Sequence, residues 1–177
     1  METTKSVEIV NAGMMAADLH AFIVLEREFA EHYDLLGVGK QYGLIPFPGI
    51  PPNEHLVKYL SYFEDGENGF FVFAKAEGKY LGYLAGHIEE MPPGYQVKRI
   101  GFLDSVIVNE GCRGLGIGQL LRDHFYAWLQ SKQIDFCQLT VKVENNRVNE
   151  LYKKWGFKTD EYRMSKPLTK DLGGEEC

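Results

Sequence analysis

Apolar residues recur early in the chain at Met15, Leu19, Phe22, Phe29, Tyr33 and Leu36, in steps of three or four that only Glu26 interrupts. That period predicts an amphipathic helix with one face on a core. Just before it, Val7 to Val10 reads as a short strand and Asn11 as a turn or helix entry. From Gly37 to Pro52 the pattern collapses, with Pro46, Pro48, Pro51 and Pro52 set around Tyr42 and Phe47. Proline removes a backbone donor and fixes φ, so a long loop is predicted; Leu44, Ile45, Phe47 and Ile50 argue that it is packed. Leu56, Tyr59, Leu60 and Phe63 then share one face of a short helix from about Asn53 to Phe63.

The middle of the chain changes period. Phe70 to Lys75 and Tyr80 to Glu89 are rich in aromatic and aliphatic residues and flank a turn containing Glu77 and Gly78, which predicts a β-hairpin. A Pro-Pro-Gly loop at Met91 to Tyr95 ends it, and Ile100 to Val108 follows as an apolar strand running into a turn, Asn109 to Gly118. Leu120, Leu121, Phe125, Trp128 and Leu129 restore helical spacing, with Lys132 in the last turn. In Phe136 to Val143, Cys137, Leu139, Val141 and Val143 alternate with polar residues, the period of a strand. Asn145 or Asn146 then caps a helix carrying Val148, Leu151, Tyr152 and Trp155, and Gly156 stops it. Phe157 to Pro167 reads as one or two final strands, and the tail from Thr169 as frayed. No repeat or linker divides these elements. The expectation is one mixed α/β domain over 1–177, a central sheet with flanking helices.

Composition agrees with that picture. With 177 residues, 45% hydrophobic and 25% charged, the chain has the make-up of one globular domain. A domain of this size buries roughly 70% of its unfolded surface, so it needs neither disulfides nor a structural metal. The formal net charge of −6, with no block of like charges, disfavours nucleic acid as a partner and favours amines. The apolar runs Ala21 to Leu25 and Phe70 to Ala74 are far short of a membrane span, and the polar Met1 to Ser6 does not open a secretory signal. A cytoplasmic location is expected. Cys112, Cys137 and Cys177 have the spacing of neither a metal knuckle nor a disulfide framework, and His20, His32, His55, His87 and His124 form no ligand pair. Reduced thiols and no metal are therefore expected.

The chemistry concentrates in Val106 to Gln119, where a strand ends, a turn follows and a helix begins. Gly114, Gly116 and Gly118 leave few Cβ atoms around whatever sits there, and the N–H groups opening a helix attract anions, a phosphate above all. A P-loop fails, because Ile117 and Gly118 stand where Lys and Ser or Thr are required. A dinucleotide fingerprint fails at Gln119 and at Leu121. Arg113, Gly116 and Gly118 satisfy Q/R-x-x-G-x-G/A, however, and Asn145, Tyr152, Gly156 and Phe157 satisfy N-x6-Y-x3-G-F on the next helix. Together these motifs resemble the acyl-CoA-binding core of the GNAT N-acetyltransferase superfamily, over about Tyr80 to Leu168.

The resemblance implies a set of roles. Backbone N–H groups from Arg113, Gly114, Leu115, Gly116, Ile117, Gly118 and Gln119 would cradle the CoA pyrophosphate. Pantetheine would lie along Val106, Ile107 and Val108, whose side chains are core. Arg113 either braces the turn or touches phosphate, and Asn145 either lies beside the cofactor or simply caps its helix. Tyr152 occupies the position of a general acid for the departing thiolate, although it also falls on an apolar stripe. Asp104 matches a place where relatives carry an acidic residue, making it the leading general base, with His87, Glu89 and Glu90 behind it. Tyr42 and Phe47 are expected to border the acceptor pocket; the alternative is a loop packed on the core or on a second subunit of a homodimer. The implied activity is acetyl transfer from acetyl-CoA to a primary amine of a small molecule or peptide by direct attack. The competing reading is a non-catalytic acyl-CoA-binding or sensing module.

Overall fold

The computed structural model of the chain describes residues 6–13, 16–33, 67–166 and 168. In order these form β1 (Glu8–Asn11), α1 (Ala16–Tyr33), β2 (Gly69–Ala76), β3 (Lys79–Glu90), β4 (Arg99–Val108), a single 3-10 turn (Glu110–Cys112), α2 (Ile117–Ser131), β5 (Cys137–Leu139) and α3 (Asn146–Lys154). The predicted loop at Gly37 to Pro52, with Tyr42 and Phe47, and the helix at Asn53 to Phe63 lie outside the described residues. Contacts divide the chain into two compact units, Met1–Phe29 with Pro51–Thr140, and Ala30–Ile50 with Val141–Cys177.

The first unit is built on a mixed sheet in the order β1-β2-β3-β4-β5. The first four strands are antiparallel neighbours, and β5 runs parallel to β4. Local chemistry explains the hairpins. Glu77 and Gly78 both have positive φ, 50° and 74°, as a two-residue turn matched to strand twist requires. Parallel strands need a crossover instead, and α2 supplies it between β4 and β5.

Because strand side chains alternate between faces, each strand feeds two cores. On one face Phe71, Phe73, Tyr83, Ala85 and Ile107 pack with Ala21, Phe22 and Leu25 of α1. On the other, Val72, Ala74, Leu84, Ile88 and Leu103 pack with Ile117, Leu121, Phe125 and Leu129 of α2. These four helical residues recur every fourth position and are at most 3% exposed. Burying each is worth about 1.5–3 kcal/mol, which is why the helix stays on the sheet.

Glycine lets α2 approach closely. A Cβ on Gly86 would lie 2.6 Å from the Phe125 ring and 2.8 Å from the Phe102 carbonyl oxygen, and one on Gly101 would lie 2.5 Å from Leu129. The Phe102 carbonyl belongs to the sheet and cannot yield, so Gly86→Ala is expected to destabilise the fold by about 1–3 kcal/mol. Urea unfolding followed by circular dichroism measures this; an unchanged midpoint would mean that α2 can lift off the sheet without loss.

The predicted break in the α1 stripe has a partner. Glu26 accepts a hydrogen bond from the hydroxyl of fully buried Tyr83. A second acid escaped the sequence pattern: Asp18, only 6% exposed, accepts from the Gly13 N–H, from Lys75 at 3.3 Å and from the Tyr80 hydroxyl.

Three expectations need correction. The alternating segment Phe136 to Val143 forms strand only over Cys137–Leu139, because its parallel partner on β4 is confined to Gly101, Phe102 and Leu103. Gly118 belongs to the first turn of α2 rather than to the preceding turn, since Leu120 N–H already bonds the Gly116 carbonyl at 3.0 Å. Phe157 to Lys166 contains no strand, and every residue there except Phe157 is exposed; an extended chain without a neighbouring strand has nowhere to place its ladder bonds.

In the second unit α3 is described on its own. Asn145 is its N-cap, its side chain accepting from the Val148 N–H at 3.4 Å, which decides between Asn145 and Asn146. Leu151, placed on the apolar stripe by its spacing, is 39% exposed. At the C-terminus Gly156 has φ 93°. The Phe157 N–H bonds the Tyr152 carbonyl and the Gly156 N–H bonds the Lys153 carbonyl, both at 3.0 Å. This is a Schellman stop, which only a residue comfortable at positive φ can make.

Candidate active site

The end of β4 and the turn after it are shaped by two interruptions of the sheet. Ala85 pairs with Ser105 and Gly86 with Leu103, so Asp104 is an extra residue with no partner in the β3 register. At the same point β5 stops, its last pair being Leu103 with Leu139. A bulge bends a strand and ends regular pairing, and here the two coincide. From Ser105 to Val108, β4 is paired along one edge only among the described residues. An extended, amide-bearing ligand could add to such an edge. The Val106 and Val108 side chains pack against the α2-face core and Ile107 is 5% exposed in the α1-face core, so only their backbone faces that edge.

The turn is tied down from below. Asn109 donates its N–H to the Leu81 carbonyl at 2.9 Å and its side chain accepts from the Gly111 N–H at 3.1 Å. Arg113 folds back, its Nε donating to the Val108 carbonyl at 3.1 Å with a weak approach to Glu110 at 3.8 Å. Half-buried Cys112 and Cys137 both pack against the α2-face core, and desolvation pushes the Cys137 thiol up to about 12; neither is disulfide-bonded.

Above these anchors the loop is bare. Gly114 and Gly116 have φ of 83° and 80°, and a Cβ on either would meet nothing within 4 Å. Gly116 is the N-cap of α2 and offers no side-chain cap, and the first turn carries no acidic residue. The N–H groups of Ile117, Gly118 and Gln119 therefore have no helical acceptor at the positive end of the helix. Ile117 contributes only its backbone, since its side chain is 3% exposed in the core. This constellation fits a phosphate group: uncommitted donors, positive potential and space that a Cβ would fill.

Asp104 is engaged from the neighbouring strand. His87 on β3 holds its Nδ1 2.6 Å from Asp104 Oδ2, and the imidazole lies against the Phe102 ring at 5.5 Å between centroids. The Asp104 hydrogen bond raises the His87 pKa above the usual histidine value; burial opposes the shift, while the charges of Asp104 and Glu89 add to it. A raised histidine pKa stabilises the fold fully below the unfolded value of about 6.5, and that contribution is lost as pH rises through the folded value. On α1, burial lifts the Glu26 carboxyl above its ordinary range, with the Tyr83 hydrogen bond opposing. Glu89 and Glu90 are exposed.

Asn145 and Tyr152 lie in the second unit. The half-buried Tyr152 ring meets Trp155 and Phe157 edge to face, at 5.6 and 5.8 Å. Tyr152 and Phe157 are the two positions that a Schellman stop brings into apolar contact, so the Y-x3-G-F spacing has a structural origin. Asn149 was not singled out by the sequence patterns, yet its amide donates to the carbonyls of Lys142, Val143 and Asn145 at 3.0, 3.1 and 3.0 Å, fastening the segment before α3 to the helix. His87 likewise gave only a weak sequence signal, because its partner is 17 residues away. Tyr42 and Phe47 lie outside the described residues.

Comparison with known proteins supplies the family. The model of the acetyltransferase (GNAT) family matches residues 41–157. An N-alpha-acetyltransferase of Sulfurisphaera tokodaii is 31% identical over 139 residues, covering 67% of this chain and 81% of the relative. Among solved structures, the aminoglycoside N-acetyltransferase AAC(6')-Iy in complex with CoA superposes with a TM-score of 0.70 at 17% identity, over 94% of this chain and 97% of the other. A predicted acetyltransferase of Clostridium acetobutylicum with acetyl-CoA gives 0.69 at 19% identity, over 92% and 97%. Those two likenesses show the fold. With the family model spanning most of the chain, the protein belongs to the acetyltransferase (GNAT) family and is an acetyl-CoA-dependent N-acetyltransferase.

Proposed function

We propose that this enzyme moves an acetyl group from acetyl-CoA to a primary amine of a small molecule or peptide by direct attack, within one domain spanning 1–177. The observation that carries the reading is the uncapped start of α2 directly after the open edge of β4. The N–H groups of Ile117, Gly118 and Gln119, with the Gly114 and Gly116 backbone, would bind the pyrophosphate. The free edge at Val106 to Val108 would hold the pantetheine amides. Bound there, acetyl-CoA supplies an activated thioester carbonyl.

The chain's residues do the rest. Asp104 takes a proton from the acceptor ammonium, whose ordinary pKa near 10 otherwise leaves little free amine at neutral pH. The freed amine attacks the carbonyl carbon, a C–N bond forms and the C–S bond breaks. Tyr152 gives its phenolic proton to the departing sulfur and recovers one from solvent, to which the new amide nitrogen releases its second proton. Asn145 caps α3 and so holds the helix that carries Tyr152.

The names of the similar proteins point both ways on the acceptor, to a peptide N-terminus and to an aminoglycoside. The test is thiol release from acetyl-CoA against a panel of amines and peptides, with mass detection of the product. Release with none of them would refute the reading. The same assay checks the loop residues. If Tyr42 and Phe47 line the acceptor pocket, replacing each with Ala raises the amine KM about tenfold, the worth of about 1.4 kcal/mol of lost contact, and leaves the acetyl-CoA KM alone. A lower melting temperature with unchanged amine KM would instead assign that loop to packing.

A further inference from the structure

We propose that His87 is the positioning partner of Asp104 and sets the net charge of the pair: the two side chains take the acceptor's proton as one anionic unit, after the imidazole has become neutral. The inference rests on the acetyl-transfer reading for its chemistry and on the β3–β4 bulge for its geometry.

Asp104 has no residue opposite it on β3, so the sheet ladder does not orient its carboxylate. The imidazole does, from 2.6 Å, and Phe102 packs against the imidazole in turn. Both side chains are only partly withdrawn from solvent, His87 at 16% and Asp104 at 20% exposed, a setting in which charges interact strongly yet protons still exchange. The hydrogen bond occupies Oδ2 and leaves Oδ1 to receive a proton. Glu89 stands two residues along β3, and Glu26 of α1 is held by Tyr83, four residues earlier on β3. On β2 the residue registered with His87 is Gly69, which has no side chain.

The proton balance follows. While His87 is an imidazolium, the pair is neutral, and protonating Asp104 would place a net positive charge beside an incoming ammonium. Once the ring has lost a proton to solvent, the pair is anionic. It then attracts the ammonium, and Oδ1 takes its proton, leaving a neutral pair and a neutral amine. The amine lone pair makes the C–N bond as the C–S bond breaks and the sulfur takes a proton from Tyr152; the nitrogen sheds its second proton to solvent, and Asp104 and Tyr152 then re-equilibrate with solvent. Glu89, where ionised, favours the imidazolium and moves this threshold upward in pH.

The test combines a titration of the His87 ring by NMR, in wild-type protein and in Asp104→Asn, with the pH dependence of kcat/KM for the amine in wild type and His87→Gln. Glutamine keeps a donor for Asp104 but does not titrate. The expected result is a wild-type ring pKa above 6.5 that falls in Asp104→Asn, and a rising limb of kcat/KM that matches it and is absent from His87→Gln. A purely structural histidine would lower the melting temperature without moving the limb. The proposal is overturned by a ring pKa that Asp104→Asn leaves unchanged, or by a His87→Gln enzyme that keeps the wild-type limb. If wild type acetylates no amine, the acetyl-transfer reading and the catalytic role fall together, while the NMR titration still decides whether the two groups form one unit.

Discussion

Replacing Gly116 with valine is expected to weaken CoA binding by at least about a hundredfold, or about 2.8 kcal/mol, while the protein stays folded. Gly116 caps α2 at φ 80°, and a Cβ there meets nothing within 4 Å. The fold therefore loses no contact and gains no clash. It bears only the left-handed backbone penalty of about 1–2 kcal/mol for an L residue, larger for a β-branched one, against a typical stability of about 5–15 kcal/mol. Binding suffers twice. The side chain would fill the concavity that the pyrophosphate needs, and any relaxation of φ would turn the Ile117 and Gly118 N–H groups away from their target. Calorimetric titration with CoA, alongside circular dichroism, separates binding from folding. Unchanged affinity in a folded variant would place the pyrophosphate elsewhere.

Tyr152→Phe is expected to lower kcat about a hundredfold or more, the usual worth of a positioned general acid, with little change in the acetyl-CoA Kd. The substitution is conservative where it needs to be. Contacts with Trp155 and Phe157 are made by the ring, and the C-terminal stop of α3 uses the Tyr152 carbonyl, all of which phenylalanine retains. The melting temperature should hold while the chemical step slows. Single-turnover measurements isolate that step, and a wild-type rate there would remove Tyr152 from the mechanism.

Much of the fold is legible along the chain because it depends on neighbours in sequence. The helical stripe from Leu120 to Leu129, the Glu77–Gly78 hairpin and a cap at Asn145 or Asn146 each follow from residues a few positions apart. Tyr152, Gly156 and Phe157 are spaced as a Schellman stop demands, so the motif that first pointed to the family is also a local folding rule. The two misread strands share one cause. Alternation in Phe136 to Val143 reports a chain with two different faces, but a strand also needs a neighbour, and β4 offers one only as far as Leu103. Phe157 to Lys166 failed as strand for the same reason.

The sequence by itself determined the long helices and the antiparallel hairpin strands of the described residues, the Gly-rich turn at a helix start, and the family to which these belong, because caps, turns and periodicity are governed by interactions within one or two turns of chain. Only the tertiary structure decided that Asp104 is a bulge residue, that β5 leaves β4 at that bulge, and that His87 reaches the Asp104 carboxylate. Pairing register and hydrogen bonds between strands are set by which segments pack together across the core, and that choice minimises exposed apolar surface and unpaired backbone over the whole unit rather than over any local window.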